Sequence, residues 1–229
     1  GTVVDDLQRP IADARLWASI DGPGIRGAEV GRSDEQGRFR LPFRTSQWLG
    51  ARKAGRAPSN LLLLGEATNN VTLVMQGAGG VVNGRVVDDG GRAVPGALVA
   101  IGLGGERLGQ SSSMARMEIR ATAARLMADA EGRFSCDGVT LGAAAASAWA
   151  PGFGPVTLPI DVRAAEPSSI VLALPRGAVV EGTVRDTRGR IVANAQVERV
   201  GTLYDFARPR TRTDASGAFR LVDLPAGEL

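Results

Sequence analysis

The chain has 229 residues, of which 44% are apolar and 22% charged, with 31 glycines and only 4% aromatic residues. This composition is typical of globular domains built from many short strands and tight turns. The absence of histidine and the single cysteine, Cys136, exclude histidine-based catalysis, histidine-ligated zinc and an intrachain disulfide. We therefore expect no active site, metal or cofactor within these residues, and we interpret Cys136 as a small buried apolar residue.

The distribution of charge and hydropathy excludes two further classes of partner. The net charge is +3, and the basic residues, almost all Arg, are interleaved with Asp and Glu along the chain. A nucleic-acid surface would concentrate them on one stripe, so we expect no nucleic-acid partner. No apolar run approaches the length needed to cross a bilayer, so we expect no membrane insertion.

The first 16 residues introduce a motif that occurs three times. The sequence "GTVVDDLQRPIADARL" at 1–16 recurs as "GRVVDDGGRAVPGALV" at 84–99 and as "GTVRDTRGRIVANAQV" at 182–197. Each copy begins with a Gly and a short run of β-branched residues, followed by a turn that starts with Asp. It ends with an Ala and, two residues later, a hydrophobic residue. In the second and third copies a Gly follows three residues after the Asp, where turns of this kind need positive φ. Gln8 takes this place in the first copy, so the first turn is predicted to differ.

A second motif, further along each repeat, predicts a β-hairpin. It reads "SDEQGRFRL" at 33–41, "ADAEGRFSC" at 128–136 and "TDASGAFRL" at 213–221. The Asp accepts backbone N–H groups in the turn, the Gly supplies positive φ, and the Phe begins the returning strand. Strand alternation then directs Phe39, Phe134 and Phe219 inward and Arg220 outward.

Alternation assigns one buried face to the strand that ends the opening motif. The inward residues are predicted to be Ala14, Leu16 and Ala18, then Ala97, Val99 and Ile101, then Ala195 and Val197, with Gln196 and Glu198 outward. This pattern indicates half-buried antiparallel strands. Each repeat should therefore bury its own modest core.

Residues 102–127 lengthen the second repeat. We predict a long loop over 102–120, with a short helical turn possible near 114–120, and a strand over 121–127. The glycine runs at 77–80 and 102–105 lack the residues of a phosphate-binding loop and are interpreted as a linker and a loop, with little buried backbone. The predicted domains are 1–77, 78–176 with the long loop, and 177–229, the last one incomplete. Because Gly1 begins in mid-pattern, we expect the chain to be part of a larger protein.

These motifs resemble the carboxypeptidase regulatory-like repeat family. The resemblance rests on "GRVVDDGGRAVPGALV" at 84–99, "TDASGAFRLVDLPAG" at 213–227 and "AWAPGFGP" at 148–155, with "KAGRAP" at 53–58 departing by lacking an aromatic after Gly. It implies an all-β fold of tandem prealbumin-like (transthyretin-like, Ig-like) antiparallel β-sandwiches of seven strands. It also implies non-catalytic accessory or stalk modules, common in secreted and surface proteins of bacteria.

One residue is a weak candidate for ligand contact. Alternation places Trp17 on an outward face, where its ring could stack on a sugar or cover a neighbouring repeat. Trp48 and Trp149 do not align with it and are interpreted as local packing. The acidic pairs Asp5–Asp6 and Asp88–Asp89 could ligate calcium, but capping of a turn already explains one Asp in each pair.

The sequence favours an extracytoplasmic spacer or adhesion stalk whose partners are neighbouring domains of the same polypeptide. Two alternatives stay open. One is a carbohydrate-binding module, similar to starch-binding modules, with a polysaccharide as its partner, whereas another surface protein would be a partner of the stalk. The other is an accessory domain of an enzyme whose catalytic part lies outside this chain.

Overall fold

The computed structural model describes residues 1–19, 27–42, 47–65, 70–102, 124–164, 166–199 and 209–225. Regular structure in these ranges consists of short strands, as the β-branched runs bounded by Asp and Gly turns predict. The strands are β1 (Thr2–Asp5), β2 (Arg15–Ser19), β3 (Ala28–Arg32), β4 (Gln47–Arg52), β5 (Leu62–Leu64), β6 (Thr72–Met75), β7 (Gly80–Asp88), β8 (Leu98–Gly102), β9 (Ala124–Met127), β10 (Arg133–Val139), β11 (Gly142–Trp149), β12 (Val156–Val162), β13 (Ser168–Leu174), β14 (Ala178–Thr183), β15 (Gln196–Glu198), β16 (Arg210–Arg212) and β17 (Ala218–Leu224).

The strands β7 to β13, which we call the middle segment, form a β-sandwich. One sheet has the order β10-β7-β13 and the other β12-β11-β8-β9. The strand β7 pairs antiparallel with β10 and parallel with β13, so the first and last strands of the segment lie side by side. A single apolar cluster, which includes Val82, Val86, Val99 and Leu172, fills the space between the sheets. The predicted all-β sandwich of seven strands is confirmed here.

The strands β1 to β6, the N-terminal segment, repeat this arrangement. Their four-stranded sheet has the order β3-β2-β4-β5, which matches β9-β8-β11-β12 of the middle segment. The strand β1 pairs parallel with β6, as β7 does with β13. A second apolar cluster, which includes Val3, Leu16, Leu73 and Met75, is made only of residues of this segment. The two segments therefore have separate cores.

The strands β14 to β17, the C-terminal segment, repeat only part of the sandwich. The strand β14 pairs antiparallel with β17, and β15 pairs antiparallel with β16. Among the described residues of this segment, Leu221 and Leu224 are its buried apolar residues. The inward residues Val184, Val192 and Val197 are half-buried. Within the described residues these four strands correspond to part of the sandwich of the middle segment, and the incompleteness of the last sandwich stays a prediction.

The Asp-led turns form as predicted, with one correction. In the opening turn of the middle segment, Asp88 Oδ1 accepts the backbone N–H groups of Gly90 and Arg92, at 2.9 and 2.8 Å. Asp5 Oδ1 accepts those of Leu7 and Arg9 in the same way, at 3.0 and 2.9 Å. The prediction that the first turn differs is wrong.

The first turn keeps its geometry because Gln8 itself adopts the left-handed conformation. Its φ is 61°, compared with 78° at Gly91 in the equivalent turn. The backbone N–H of Gln8 donates to Asp5 O at 3.0 Å, as that of Gly91 does to Asp88 O. The hydrogen bonds from Asp5 and the backbone hydrogen bonds on either side of the turn thus hold Gln8 at positive φ. This conformation is expected to reduce the free energy of unfolding by about 1 kcal/mol relative to glycine.

The predicted strand faces agree with the observed burial. Ala97, Val99 and Ile101 are at most 1% exposed. Phe134 is buried, while Phe39 and Phe219 are half-buried. The strand predicted over 121–127 is observed as β9, Ala124–Met127. Gly102, predicted to begin the loop, instead ends β8. Residues 103–123, which include the predicted helical turn near 114–120 and the start of the predicted strand, lie outside the described residues.

Candidate functional site

Two junctions join the segments, and they share one hydrogen-bonding pattern. At the first junction, the backbone N–H of Gly55 donates to Asp137 Oδ2 at 3.1 Å, although the two residues are 82 positions apart. The carbonyl of Gly55 accepts the N–H of Gly79, also at 3.1 Å. Gly55 thus forms hydrogen bonds both to the residues that connect the two segments and to the middle segment itself.

The second junction repeats this pattern with different residues. The backbone N–H of Gly152 donates to Asp223 Oδ1 at 2.8 Å. The carbonyl of Gly152 accepts the N–H of Gly177 at 3.1 Å. Gly55 and Gly152 occupy equivalent turns and both have positive φ, at 73° and 85°. Hydrogen bonds to a carboxylate are stronger than those between neutral groups. Asp137 and Asp223 therefore hold the glycine turn of the preceding segment against their own strands.

Close backbone contact tightens both junctions. A Cβ on Gly79 would lie 2.5 Å from the Cα of Gly138, and a Cβ on Gly177 would lie 2.9 Å from the Cα of Asp223. Gly138 and Asp223 both have positive φ, at 65° and 61°. Each lies beside an irregularity in strand register, where a bulge pushes the chain toward the preceding segment.

The glycine run at 77–80 is therefore not the open linker that the sequence predicts. The carbonyl of Gly77 accepts the N–H of Ala57, and Arg56 pairs with Ala78 as an isolated bridge. Gly80 begins β7 and is buried. Gly79 is needed here, because a Cβ at this position would lie 2.5 Å from the Cα of Gly138 in the middle segment and 3.0 Å from the backbone N of Ala57 in the N-terminal segment.

A charged group of the N-terminal segment adds to the first junction. Arg52 is the last residue of β4. Burial lowers the pKa of its guanidinium, and Cys136 and Asp137 of the middle segment shift that pKa in the opposite direction. Burial also raises the pKa of the Cys136 thiol to about 11, against the smaller opposing effect of Arg52. The thiol is thus protonated at neutral pH, and its burial confirms the predicted apolar role of Cys136.

The carboxylates of the Asp-led turns are engaged by backbone N–H groups. Asp34, for example, has a pKa below its ordinary value, chiefly because it accepts the N–H of Arg38. Asp186 likewise accepts the N–H groups of Arg188 and Arg190. Across the described ranges, no group of three or more carboxylate or thiol side chains has the geometry of a metal site.

Trp17 lies on the outer face of the four-stranded sheet of the N-terminal segment and is half-buried. It pairs across the sheet with Gly50 of β4 and Glu29 of β3. Trp48 lies on the same face, opposite Ser19 and the exposed Leu63. The sequence did not indicate that Trp17 and Trp48 are neighbours, because their proximity depends on the register between β2 and β4.

Trp149 lies on the corresponding outer face of the middle segment, at the end of β11 and opposite Leu98. Its indole N–H is buried without a hydrogen-bond partner among the described residues. All three tryptophans thus lie on the outer faces of the two equivalent four-stranded sheets, Trp17 and Trp48 in the N-terminal segment and Trp149 in the middle segment. Their positions along the strands differ.

In the part of the chain that the structure describes, no helix is long and apolar enough to cross a membrane.

Comparison with solved structures returns distant likenesses. The Bacillus anthracis TIE protein is 13% identical over 96% of this chain and 42% of its own, with a TM-score of 0.34. The shaft pilin SpaA of Lactobacillus rhamnosus GG is 14% identical over 76% of this chain and 95% of its own, with a TM-score of 0.32. A hydroxyquinol 1,2-dioxygenase of Pseudomonas putida DLL-E4 is 18% identical over 37% of this chain and 38% of its own, with a TM-score of 0.27.

This chain spans less than half of the TIE protein and of the dioxygenase. The TM-scores are too low for any of these structures to inform function. No curated protein matches the chain in sequence.

The family comparison is more specific. The model of the carboxypeptidase regulatory-like domain matches residues 81–175. These residues contain β7 to β13 apart from Gly80, which is the complete seven-stranded sandwich. The middle segment of this chain is therefore a carboxypeptidase regulatory-like domain.

Proposed function

We propose that this chain is a non-catalytic module in which successive sandwiches act as a spacer or adhesion stalk of a larger extracytoplasmic bacterial protein. The proposed domains are 1–77, 78–176 and 177–229. Their partners are then neighbouring domains of the same polypeptide. The match of residues 81–175 to the regulatory-like domain supports an accessory role.

The observation that carries this proposal is the repeated junction. Domains linked by flexible segments move independently, and relative motion is the ordinary expectation for small interfaces. Here Gly55 and Asp137 form at the first junction the same contact that Gly152 and Asp223 form at the second. A contact repeated at both junctions supports a defined angle between successive sandwiches, which a spacer of defined length would require.

Distance measurements between spin labels test this proposal. Exposed Glu35 of the N-terminal segment and Glu131 of the middle segment would each be replaced by a labelled cysteine in a Cys136→Ala background. We expect a narrow distance distribution that broadens in Asp137→Ala, because the acceptor for the N–H of Gly55 is lost.

Asp161→Ala is the matched control. Asp161 is an exposed aspartate of the same segment, and it pairs with Arg163 at 3.2 Å, outside the junction contacts. The distribution should stay narrow in this variant. A broad distribution in the unmodified background would mean that the sandwiches move independently, and the spacer proposal would fail.

A second candidate function is carbohydrate binding at the N-terminal sheet. It is favoured by the proximity of Trp17 and Trp48 on one outer face, since stacked sugars are commonly held by aromatic rings. Titration with soluble starch, followed by tryptophan fluorescence, should give a saturable change that Trp17→Ala abolishes and Trp149→Phe retains. An unchanged spectrum in the unmodified protein would exclude this ligand.

A further inference from the structure

Three arginines lie side by side across the outer face of the N-terminal sheet, and we call them the arginine row. Arg15 of β2 lies directly opposite Arg52 of β4 on one side and Arg32 of β3 on the other. Burial and, to a lesser extent, the charge of Arg15 lower the pKa of the Arg52 guanidinium. Like charges at directly opposite positions of an antiparallel pair are destabilising, so the row opposes the stability of its own sheet.

The fold does not require charge at these positions. The N–H of Asp13 donates to Ser33 O and that of Gly96 to Ala128 O, at 3.1 and 3.0 Å, so Asp13 and Gly96 are equivalent. Two residues after each lies the centre of a row. The row of the middle segment is apolar and consists of Trp149, Leu98 and Met127. The arginine row is therefore specific to the N-terminal segment.

Carboxylates of the described residues offset only part of the row. Arg32 donates to Asp13 Oδ1 at 2.7 Å and to Glu29 Oε1 at 3.0 Å. Arg15 is exposed, and it forms no ion pair with a described residue. Its guanidinium thus presents several N–H donors at the surface, beside two further positive charges, which is the chemistry that binds an external carboxylate.

An aromatic ring lies next to the row. Trp17 is the next outward residue of β2 after Arg15, about 7 Å further along the strand. Its indole lies over Gly27, where a Cβ would lie 2.6 Å from Trp17 Cδ1. The missing side chain at Gly27 lets the indole pack there, so the ring is held in place before a ligand binds. The exposed Glu29 lies directly opposite Trp17.

We propose that Arg15, Trp17 and Glu29 bind an acidic polysaccharide in which uronic acids alternate with neutral sugars. A neutral sugar ring stacks on Trp17, and the carboxylate of the neighbouring uronic acid accepts N–H groups from Arg15. Glu29 accepts hydrogen bonds from the sugar hydroxyls. The proposal rests on the carbohydrate-binding candidate function and specifies its class of ligand.

Two features favour a sugar acid over other polyanions. Glu29 lies beside the ring of Trp17, so its negative charge would repel a nucleic acid, which carries a phosphate at every nucleotide. The strand β2 is paired on both sides, with β3 and β4, so an acidic peptide cannot bind there by adding a further strand. A polymer with a charge on alternate sugars places one carboxylate on the row and one uncharged ring on Trp17.

Calorimetric titration with a hyaluronan octasaccharide and with its methyl ester tests the proposal, because the ester keeps the sugars and removes the charge. The acid should bind the unmodified protein about tenfold more tightly than the ester. Arg15→Gln should weaken binding of the acid by about fivefold and leave binding of the ester unchanged. Trp17→Ala should weaken binding of both ligands.

Arg133→Gln is the matched control, since Arg133 is an exposed arginine of the middle segment, and it should bind both ligands like the unmodified protein. Urea unfolding checks the fold of Arg15→Gln. Because Arg15 faces two like charges, the substitution should not lower the unfolding midpoint. Weaker binding by a variant of undiminished stability then reports a lost contact with the ligand.

Three outcomes would overturn the proposal. Equal affinities for the acid and the ester, or binding of starch without binding of the octasaccharide, would reject the anionic site and leave carbohydrate binding in place. If neither starch nor the octasaccharide binds, the carbohydrate-binding candidate fails with it. Binding of polyglutamate or oligothymidylate as tightly as the octasaccharide, with the same dependence on Arg15, would assign the row to a peptide or to a nucleic acid.

Discussion

Phe134 lies directly across the strand pair from Gly84, and its ring occupies the space where a Cβ of that residue would project. A Cβ on Gly84 would lie 2.3 Å from Phe134 Cζ. Gly182 pairs with Phe219 in the same way, and the ring of Phe39 lies over Gly1. The glycine that opens each repeat and the phenylalanine that closes each hairpin therefore form one packing unit.

This packing predicts that Gly84→Ala destabilises the middle segment by about 1–3 kcal/mol. The added Cβ would meet the Phe134 ring and would also lie 2.8 Å from the carbonyl oxygen of Ile170, which cannot move freely within the sheet. Gly77→Ala is the control, because a Cβ there meets nothing within 4 Å. Urea unfolding of the two variants measures the difference, and equal stabilities would contradict the assigned packing.

Phe134 and its neighbour Arg133 should respond very differently to truncation. Phe134→Ala removes a buried ring and is expected to cost roughly 3–5 kcal/mol. The exposed Arg133 should tolerate Ala within about 0.5 kcal/mol. Because the cores are separate, Phe134→Ala should melt the middle segment before the N-terminal one. Equal losses for both variants would show that the strand register is wrong by one residue.

The turn at Gln8 predicts a stabilising substitution. Gln8→Gly should raise the free energy of unfolding by about 0.5–1 kcal/mol, since glycine adopts positive φ without steric cost. The reverse change, Gly91→Gln, should lower it by a similar amount, because a Cβ on Gly91 meets nothing within 4 Å and only φ is at issue. Thermal unfolding of this pair gives both values. A loss of stability in Gln8→Gly would argue against the left-handed conformation.

The buried thiol predicts a dependence of stability on alkaline pH. The pKa of Cys136 rises from its usual 9.0 to about 11 in the folded protein, chiefly through burial. The unfolded chain therefore loses the thiol proton first, and stability falls as pH rises from 9.0 toward 11. Over this window, the wild-type free energy of unfolding should fall by roughly 2 kcal/mol more than that of Cys136→Ala. Identical slopes would mean that the thiol is not buried.

The sequence was informative wherever structure depends on near neighbours. The Asp-led turns, the hairpins and the inward faces at Ala97, Val99 and Ile101 follow from spacing and alternation, and they were predicted correctly. The turn at Gln8 was predicted wrongly, because the hydrogen bonds of the turn outweigh the preference for glycine at a position with positive φ. The failure shows that a missing glycine alone does not indicate a different turn.

The junctions could not be predicted, because they depend on residues far apart in the chain. Nothing local to Gly55 indicates that it meets Asp137, and the glycine run at 77–80 resembles a linker until its packing is known. A usable signal existed in the recurrence of a turn glycine in "KAGRAP" and "APGFGP", the first at Gly55 and the second at Gly152. The neighbouring positions of Trp17 and Trp48 likewise depended on strand register, which composition does not reveal.

The parallel pairing of β7 with β13 has a mechanical consequence. The chain enters the middle segment at the start of β7 and leaves it at the end of β13, so tension along the polypeptide pulls these two strands in opposite directions along their length. Such a load shears the hydrogen bonds together instead of peeling them apart one after another. The pairing of β1 with β6 gives the N-terminal segment the same loading geometry. Both sandwiches are thus arranged to resist stretching between their ends, as a load-bearing element between two attachment points would need.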